Sequence, residues 1–346
     1  MHRSAVCSWA LQYYLVLIVR RIQRWYNERH SARGTVTTMI ELIDLTKQFD
    51  DFTAVDGVTL SVAAGEILAL LGPNGAGKTT TVRMLAAILR PTAGQAFVAG
   101  HNVVEHPGEI RQQVGLLTEH PGLYLRMKGK EYLNFFGRLM GLDAGESERR
   151  AQDLLTRFGM PEAWNRRMGT YSKGMRQKMA LVRAMLHDPS ILLLDEPTSA
   201  MDPHSAKLVR DAVLGLRHHQ RAIIICTHNL AEAEALADRI AVIRRGRIIA
   251  LGTPTELKSR LLGPPLIELR LAHPIDGPHR DGVVELVSDL VEIKAQGENW
   301  LRYSTPNPQE INPLLLQTLA SHEVGVVTLS MVPRSLEDVY LRVVEE

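Results

Sequence analysis

A nine-residue segment, GPNGAGKTT from Gly72 to Thr80, restricts the possible folds of this chain more than any other feature. It fits the pattern GxxxxGK[ST], and it stands between a strand-like apolar run, EILALL, and a helix-like run, TTVRMLAAIL. Glycines at these positions let consecutive backbone amides point toward a phosphate without obstruction by side chains. The N-terminus of the following helix adds its dipole. A loop of this kind between a strand and a helix predicts an α/β fold that binds a nucleoside triphosphate.

Two residues of this loop are predicted to make specific side-chain contacts with phosphate or metal, and the other residues are predicted to surround the phosphates. Lys78 is predicted to supply a cation to the β- and γ-phosphates, so we count it among the catalytic residues. The hydroxyl of Thr79 is predicted to bind Mg²⁺. The expected cofactors are therefore ATP and Mg²⁺. The other predicted ATP-binding residues of the loop are Gly72, Pro73, Asn74, Gly75, Ala76, Gly77 and Thr80.

Two further apolar runs end in polar residues that suit chemistry at a phosphate. ILLLDE, which ends in Asp195 and Glu196, has the pattern of a buried strand that delivers both acids to the sheet edge where ligands bind. Asp195 is predicted to hold Mg²⁺ through water, and Glu196 to polarise the attacking water, a role worth about 10²–10⁴ in rate. His228 ends the next apolar run, RAIIICTH, and is predicted to donate to the γ-phosphate. Solvated acids and a structural histidine are the alternatives.

The segment YSKGMRQK, from Tyr171 to Lys178, indicates a second anion site. Ser172 suits the N-cap of a helix, and Gly174 stands where a better helix former would cost about 1 kcal/mol less. A helix N-terminus with an unobstructed glycine ahead of several cations favours an anion. Which anion binds, and from which molecule it comes, is not evident from this segment by itself.

The rest of the chain up to about residue 262 alternates strand and helix patterns. A largely helical stretch runs from about Lys128 to His187 and is interrupted at GLDAG and GMPEAW. NLAEAEALADRI predicts a helix, and IAVIRRGRIIALG predicts a hairpin that turns at Arg245 and Gly246. These patterns predict an α/β core with a helical insertion at about residues 120–189.

The residues after the break LLGPP predict a second, smaller domain at residues 263–346. Strand and helix patterns follow there in the order βαββαβ, which is typical of a small α+β ferredoxin-like domain. A last helix is predicted to begin after Ser335, with Asp338 as its capping-box partner. The predicted division is thus an extension at residues 1–38, a nucleotide-binding domain at 39–262 and an accessory domain at 263–346.

Composition narrows the classes of function. The net charge of +2 gives no reason to expect nucleic acid as a partner. Cys7 and Cys226 are the only cysteines and lie far apart in sequence, which indicates unpaired thiols in a reducing compartment. No run reaches the roughly 18 apolar residues of a membrane helix. The nearest run, AVCSWALQYYLVLIV, lies in the basic extension at residues 1–38, which we expect to be dispensable, with a membrane-surface helix as the alternative.

Read in order, GPNGAGKTT, YSKGM, LLLDEP, SAMD and THN resemble the motifs of the ATP-binding subunit of an ATP-binding cassette (ABC) transporter. The resemblance covers about Met39 to Leu262, and the later SLEDVYL is similar to the C-terminal end of ATPases of drug, antibiotic and sodium export systems. It implies a P-loop NTPase core of the RecA-like type with a helical subdomain. Because two ATP-binding domains of this family pair head to tail, it also implies a homodimer, or a pair with another such domain, around two ATP.

The resemblance assigns roles to residues that the patterns alone leave open. It implies that Ser172 and the amide of Gly174 contact the γ-phosphate of the ATP held by the partner. Phe49 corresponds to the aromatic residue that stacks on adenine, and Asp202 in SAMD to the loop that links the two sites.

Three positions depart from the usual pattern of the family. Lys173 stands where the signature normally has glycine, and Met175 where it has glutamine. Glu119 stands where a glutamine usually contacts magnesium and senses the permease, so the resemblance implies that Glu119 is a metal ligand.

The function expected from the resemblance is ATP hydrolysis that drives a separate membrane permease, for export, by a peripheral protein on the cytoplasmic face of the membrane. Two alternatives stay open: a soluble ABC ATPase that remodels nucleic acid or ribosomes, and an ATP-dependent binding module that does not hydrolyse. ATPases of the first kind commonly carry a second cassette or a long coiled coil, which this chain does not show. The intact Glu196 and His228 disfavour the second.

Overall fold

The structure is a computed structural model that describes residues 37–120, 122–199, 201–216, 221–274 and 277–345. The predictions about the N-terminal segment fall on residues 1–36, outside the described residues, and on the two residues that follow. They stay predictions, as does the division of the chain at residues 38 and 262.

Strands and helices alternate along most of the described chain. The strands are β1 (Thr38–Phe49), β2 (Phe52–Ala63), β3 (Ile67–Leu71), β4 (Ala93–Val98), β5 (His101–Asn102), β6 (Val114–Leu117), β7 (Ile191–Asp195), β8 (Ala222–Thr227), β9 (Arg239–Arg244), β10 (Arg247–Gly252), β11 (Leu266–Leu271), β12 (Glu292–Gln296), β13 (Trp300–Ser304) and β14 (Val326–Met331). The helices are α1 (Lys78–Leu85), α2 (Pro107–Gln113), α3 (Gly129–Leu139), α4 (Ala144–Arg157), α5 (Lys173–Met185), α6 (Pro203–Gly215), α7 (Leu230–Leu236), α8 (Pro254–Leu262), α9 (Gly277–Ser288), α10 (Pro308–Ser321) and α11 (Leu336–Glu345).

The contacts of the chain define two compact units. The first contains the described residues up to Leu68, together with Pro73–Cys226 and Arg245–Arg247. The second contains Ala69–Gly72, Thr227–Arg244 and the residues from Ile248 onward.

Two sheets account for the strands before residue 253. One is antiparallel, with the order β2-β1-β4-β5, and the other has the order β10-β9-β3-β8-β7-β6. In the second sheet β7 runs parallel to both β6 and β8, and Leu193 lies opposite Leu116 on one side and Ile224 on the other. Every residue of β7 and β8 is buried, as is usual for parallel strands covered on both faces. Burial on both faces explains the continuous apolar runs that the sequence shows at these strands.

The predicted helical insertion consists of α3, α4 and α5. The first break predicted from the sequence, GLDAG, separates α3 from α4, and the second, GMPEAW, follows the end of α4. Asp143 caps α4, because its carboxylate accepts a hydrogen bond from the amide of Glu146 at 2.9 Å. The predicted α/β core with a helical insertion is therefore confirmed.

One predicted helix is shorter than expected. The pattern NLAEAEALADRI predicted a helix as far as Ile240, but α7 ends at Leu236, and Arg239 and Ile240 belong to β9. Ile240 is fully buried within this strand. A short buried strand also presents consecutive apolar residues, so the spacing of apolar residues could not distinguish the end of the helix from the start of the strand.

The described residues from 266 to 331 follow the predicted order βαββαβ. Their four-stranded sheet has the order β12-β13-β11-β14, and each neighbouring pair is antiparallel. The core of this part is formed by buried residues of β11, β13, α9 and α10 and of the segment after α9: Ile267, Leu269, Leu271, Val287, Val291, Leu301, Tyr303, Leu315 and Leu319. The capping box predicted for the last helix is confirmed, because Ser335 Oγ accepts from the amide of Asp338 and Asp338 Oδ2 accepts from the amide of Ser335.

Candidate active site

The loop from Pro73 to Gly77 leads into α1 with backbone conformations that favour glycine. Gly75 has a φ of 80°, and Gly77, directly before the first residue of α1, has a φ of 107°. A Cβ atom at Gly77 would come well inside 3.0 Å of the carbonyl oxygen of Ala54 in β2, whereas a Cβ at Gly75 would meet open space. The loop is therefore packed tightly against β2 at Gly77 and open on the side of Gly75.

A cavity of about 400 Å³ lies over this loop. Lys78 stands at the loop, where its ammonium donates a hydrogen bond to the carbonyl oxygen of Pro73 at 3.1 Å. The cavity brings together predicted phosphate-binding, metal-binding and catalytic residues from distant parts of the sequence. Its lining consists of Phe52, Ala54, Asn74, Gly75, Ala76, Gly77, Lys78, Thr79, Thr80, Glu119, Asp195 and Glu196.

Two of the predicted metal ligands are in direct contact. The hydroxyl of Thr79, on the first turn of α1, donates to Asp195 Oδ2 at the end of β7, with 2.7 Å between the oxygens. Asp195 is 2% exposed, and its burial raises the pKa of the carboxyl above its ordinary value. The hydrogen bond from Thr79 and the positive charge of Lys78 act in the opposite direction. A buried carboxylate under this penalty is a favourable place for a cation.

Glu119 lies at the same cavity, two residues after the end of β6. It is exposed, and its negative charge contributes to the raised pKa of Asp195. Two carboxylates that repel each other across a cavity are stabilised when a cation binds between them. The position of Glu119 is consistent with the predicted role of this residue as a metal ligand.

Glu196 is held in a strained backbone conformation at the end of β7. Its φ is 52°, in the left-handed region that few residues other than glycine adopt. Its amide donates to the carbonyl oxygen of Cys226 at 2.9 Å, and its own carbonyl oxygen accepts from Gln177 Nε2 at 3.2 Å. These contacts fix the backbone where the buried side chain enters the cavity. Gln177, on α5, is a supporting residue that the sequence motifs did not indicate.

His228 belongs to the second compact unit, as does Gly72. It directly follows β8 and is exposed, and the turn that carries it is tied to α7. Asn229 Oδ1 accepts from the amide of Glu232 at 3.1 Å, and Thr227 Oγ1 donates to Glu232 Oε2 at 2.6 Å. The amide of Gly72 donates to the carbonyl oxygen of Thr227 at 3.3 Å, so the start of the phosphate loop and the turn of His228 are in contact within this unit.

Ser172 and Gly174 stand at the N-terminus of α5, as the sequence predicts. Ser172 Oγ accepts from the amide of Met175 at 3.2 Å, so the hydroxyl caps its own helix. A Cβ at Gly174 would come no closer than 3.9 Å to its nearest neighbour, the Cγ atom of Met201. Neither residue lines the cavity over the phosphate loop of the same chain.

Two residues assigned by the resemblance lie outside the lining of the cavity. Phe49 is exposed, and its ring centroid is 5.0 Å from the ammonium of Lys47. Phe52, which pairs with Phe49 across the β1–β2 hairpin, is the aromatic residue at the cavity, and the sequence motifs did not indicate it. Asp202 caps α6 by accepting from the amide of Ser205 at 3.0 Å, and this hydrogen bond lowers the pKa of the Asp202 carboxyl.

The sequence of this chain matches a known family model over residues 55–199, and the model describes ABC transporters. The chain is 43% identical over 219 residues to the ABC transporter ATP-binding protein NatA of Bacillus subtilis (strain 168), covering 62% of this chain and 89% of NatA. It is 37% identical over 300 residues to the daunorubicin resistance ATP-binding protein DrrA2 of Streptomyces coeruleorubidus, covering 86% and 92%. It is 33% identical over 307 residues to the Nod factor export ATP-binding protein I of Ralstonia nicotianae, covering 88% and 94%.

Solved structures show the same fold. The ATP-binding subunit of an ABC transporter superposes with a TM-score of 0.61 at 30% identity, covering 64% of this chain and 93% of the subunit. A dimeric ATP-binding cassette in a post-hydrolysis state, bound to ADP and Pi, superposes with a TM-score of 0.58 at 21% identity, covering 62% of this chain and 98% of the cassette. The second likeness concerns the fold alone.

Proposed function

This chain belongs to the ABC transporter family as an ATP-binding subunit, and on that premise we propose that it binds Mg²⁺-ATP over the loop from Gly72 to Thr80 and hydrolyses it to drive a separate export permease. The hydrogen bond from Thr79 to Asp195 is the observation that carries the proposal most directly. It joins the phosphate loop to the end of β7 at the point where an ion bound to nucleotide phosphates would lie.

The residues at this point suit Mg²⁺. A hydroxyl from Thr79 and carboxylates from Asp195 and Glu119 are hard oxygen donors, which Mg²⁺ prefers. Within the described ranges, no three His, Cys, Asp or Glu side chains cluster closely enough to hold a metal ion by themselves. Mg²⁺ is commonly coordinated by only one or two protein carboxylates together with substrate phosphates. When bound, the ion supplies positive charge that offsets the charge of the phosphates.

Glu196 is the residue that we propose to orient and polarise the attacking water. Its backbone amide donates to Cys226 and its carbonyl oxygen accepts from Gln177, so the point from which its side chain extends into the cavity is fixed. Preorganised groups lower a reaction barrier because they need not rearrange during the reaction. Lys78 would then neutralise phosphate charge, and His228 would donate to the γ-phosphate.

The site is proposed to be completed by a second ATP-binding domain, either another copy of this chain or a related subunit. Support comes from the N-terminus of α5, where Gly174 is unobstructed and Ser172 is exposed, although neither residue lines the cavity of its own chain. Such an N-terminus is suited to an anion that another molecule carries. Phe49 is proposed to stack on the adenine, and Asp202, directly before α6, is proposed to belong to the loop that links the two sites.

Export is proposed from the relatives, whose names refer to daunorubicin resistance and to Nod factor export. No helix within the described ranges has the length and apolar content to cross a membrane. A permease of separate sequence would provide the passage, and this chain would attach to it at the cytoplasmic face of the membrane. The permease would also select the substrate.

Replacing Glu196 by glutamine tests the proposal. The Glu196→Gln protein should bind ATP and lose at least about 100-fold in turnover, as expected when a general base is removed. It should also accumulate as an ATP-bound dimer, which size-exclusion chromatography with and without ATP detects. Hydrolysis near the wild-type rate would remove Glu196 from the mechanism.

The double variant Glu196→Gln, Ser172→Arg is the matched control. An arginine at residue 172 places a long side chain at the helix N-terminus that is proposed to receive the partner's nucleotide. This protein should bind ATP at its own loop but stay monomeric at the concentrations where Glu196→Gln dimerises. Equal dimerisation of the two variants would contradict the proposed contact.

A further inference from the structure

The C-terminal helix α11 is built into the apolar core of the second compact unit. Leu336 and Val339, on one face of α11, are 2% and 1% exposed. They are in contact with α7 and α8 and belong to a cluster that includes the end of β3 directly before Gly72. The buried members of this cluster are Ala69, Leu71, Ala233, Ala237, Ile240, Val242, Ala250, Leu257, Leu336 and Val339.

Polar contacts hold the same three helices together. The guanidinium of Arg334, just before α11, donates to the carbonyl oxygens of Leu262 and Gly263 at 3.1 and 2.8 Å, and also to that of Pro264. These carbonyls lie at the C-terminal end of α8, where a cation is favourable. Lys258 of α8 forms an ion pair with Glu234 of α7.

The helix α7 is in turn connected rigidly to the turn that carries His228. The side chain of Asn229 caps α7, and the buried side chain of Glu232 accepts a hydrogen bond from Thr227. The two residues that flank His228 are thus both tied to the first turn of α7. A displacement of α7 would carry His228 with it.

We propose that Leu336 and Val339 of α11 are positioning residues for His228, acting through α7. In this cluster Ala233 belongs to α7 and Ala237 directly follows it, while Leu230 of α7 is partly buried against the cluster; the two alanines have no flexible side chain to fill a space left by a smaller residue on α11. Close-packed cores respond to a lost side chain by a cavity or by a shift of the neighbouring element. The inference rests on the proposed role of His228 in hydrolysis. It gives the segment SLEDVYL a role in positioning His228.

Steady-state hydrolysis of Mg²⁺-ATP by the full chain, with purified Leu336→Ala protein, tests this. We expect kcat to fall about tenfold, a barrier change of about 1.4 kcal/mol, while KM for ATP stays within about twofold. Leu336→Met, which conserves volume, should restore kcat. Leu341→Ala, on the same helix at a residue that is 52% exposed, is the control and should match the wild type. If Leu336→Ala does not fold, the smaller deletion Val339→Ala takes its place.

The decisive measurement repeats the substitution in a His228→Ala background. If α11 acts through His228, the tenfold effect of Leu336→Ala disappears there, because the group to be positioned is already absent. An equal loss in both backgrounds, or no loss in the wild-type background from a folded protein, overturns the inference while leaving the proposed function intact. A His228→Ala protein that hydrolyses ATP like the wild type overturns the role of His228 itself, and this inference with it.

Discussion

Replacing Gly77 by alanine should destabilise the chain more than the same replacement at Gly75 or Gly246. All three glycines have positive φ angles, 107° at Gly77 and 80° at the other two. An L-residue in the left-handed region costs roughly 1–2 kcal/mol, and at Gly77, whose φ lies further from that region, the backbone strain is at least as large as at the other two. The three positions differ in what the new methyl group would meet.

The surroundings of the three glycines predict the order of the effects. At Gly75 a Cβ has nothing within 4 Å, so Gly75→Ala should cost only the strain, about 1–2 kcal/mol. At Gly246 a Cβ lies 3.0 Å from Ala54 O and 3.1 Å from Val55 Cα, which is tight but can be relieved by small shifts. At Gly77 it falls well inside 3.0 Å of the same backbone oxygen. Overpacking costs about 1–3 kcal/mol, so Gly77→Ala should lose about 2–5 kcal/mol in total.

Thermal and urea unfolding of the nucleotide-free proteins, followed by circular dichroism, measures the order directly. The midpoints should fall from wild type to Gly75→Ala, then to Gly246→Ala, and then to Gly77→Ala. Because no nucleotide is present, the comparison does not depend on any effect of the substitutions on ATP binding. Equal midpoints for Gly75→Ala and Gly77→Ala would refute the argument that packing against β2, rather than backbone conformation alone, requires glycine at residue 77.

Four other predictions concern the site and the N-terminal segment. Glu119→Gln should keep ATPase activity within about tenfold of the wild type and bind ATP better than the wild type when Mg²⁺ is chelated. Glu119→Ala should lose more activity than Glu119→Gln. Identical ATP titrations of the wild type and both variants would place Glu119 away from the metal. Ser172→Arg and Lys78→Ala proteins should each be inactive alone but regain at most one working site per heterodimer when mixed, and normal hydrolysis by Ser172→Arg alone would contradict this. Burial raises the pKa of Asp195, so ionisation of this carboxyl lowers the free energy of unfolding as the pH rises above the ordinary carboxyl range. Asp195→Asn should therefore raise the melting midpoint at pH 7 without nucleotide, but reduce the increase in that midpoint when Mg²⁺-ATP is added. A lower midpoint of the nucleotide-free variant would contradict this prediction. A chain of residues 39–346 should fold and hydrolyse ATP like the full chain, and an insoluble or inactive product would show that the first 38 residues pack on it.

Much of the fold could be predicted because the signals are local. The phosphate loop, the buried strand that ends in Asp195, and the order βαββαβ after residue 265 each depend on residues that are near one another in sequence. Loop conformation and strand burial follow from glycine positions and from continuous apolar runs. The contact between Thr79 and Asp195, 116 residues apart, was also within reach, since a parallel sheet brings the ends of its strands to one edge.

Other features were decided by packing between distant segments. Phe49 and Phe52 are both aromatic and both exposed, and only the pairing of β1 with β2 places Phe52 at the cavity. The sequence predicts Ser172 as the N-cap of a helix, but what lies opposite the N-terminus of this helix depends on the fold.

The C-terminal helix is the clearest case of a feature that the tertiary structure decided. The spacing of Leu336 and Val339 predicts a helix with one apolar face, but it does not say what that face covers. In the folded chain the face covers α7 and the end of β3, about 100 and 265 residues away in sequence. A local sequence pattern determines that a residue must be buried. Which residues it packs against depends on the surface that the rest of the folded chain leaves uncovered, and distant segments form that surface only when they pack together.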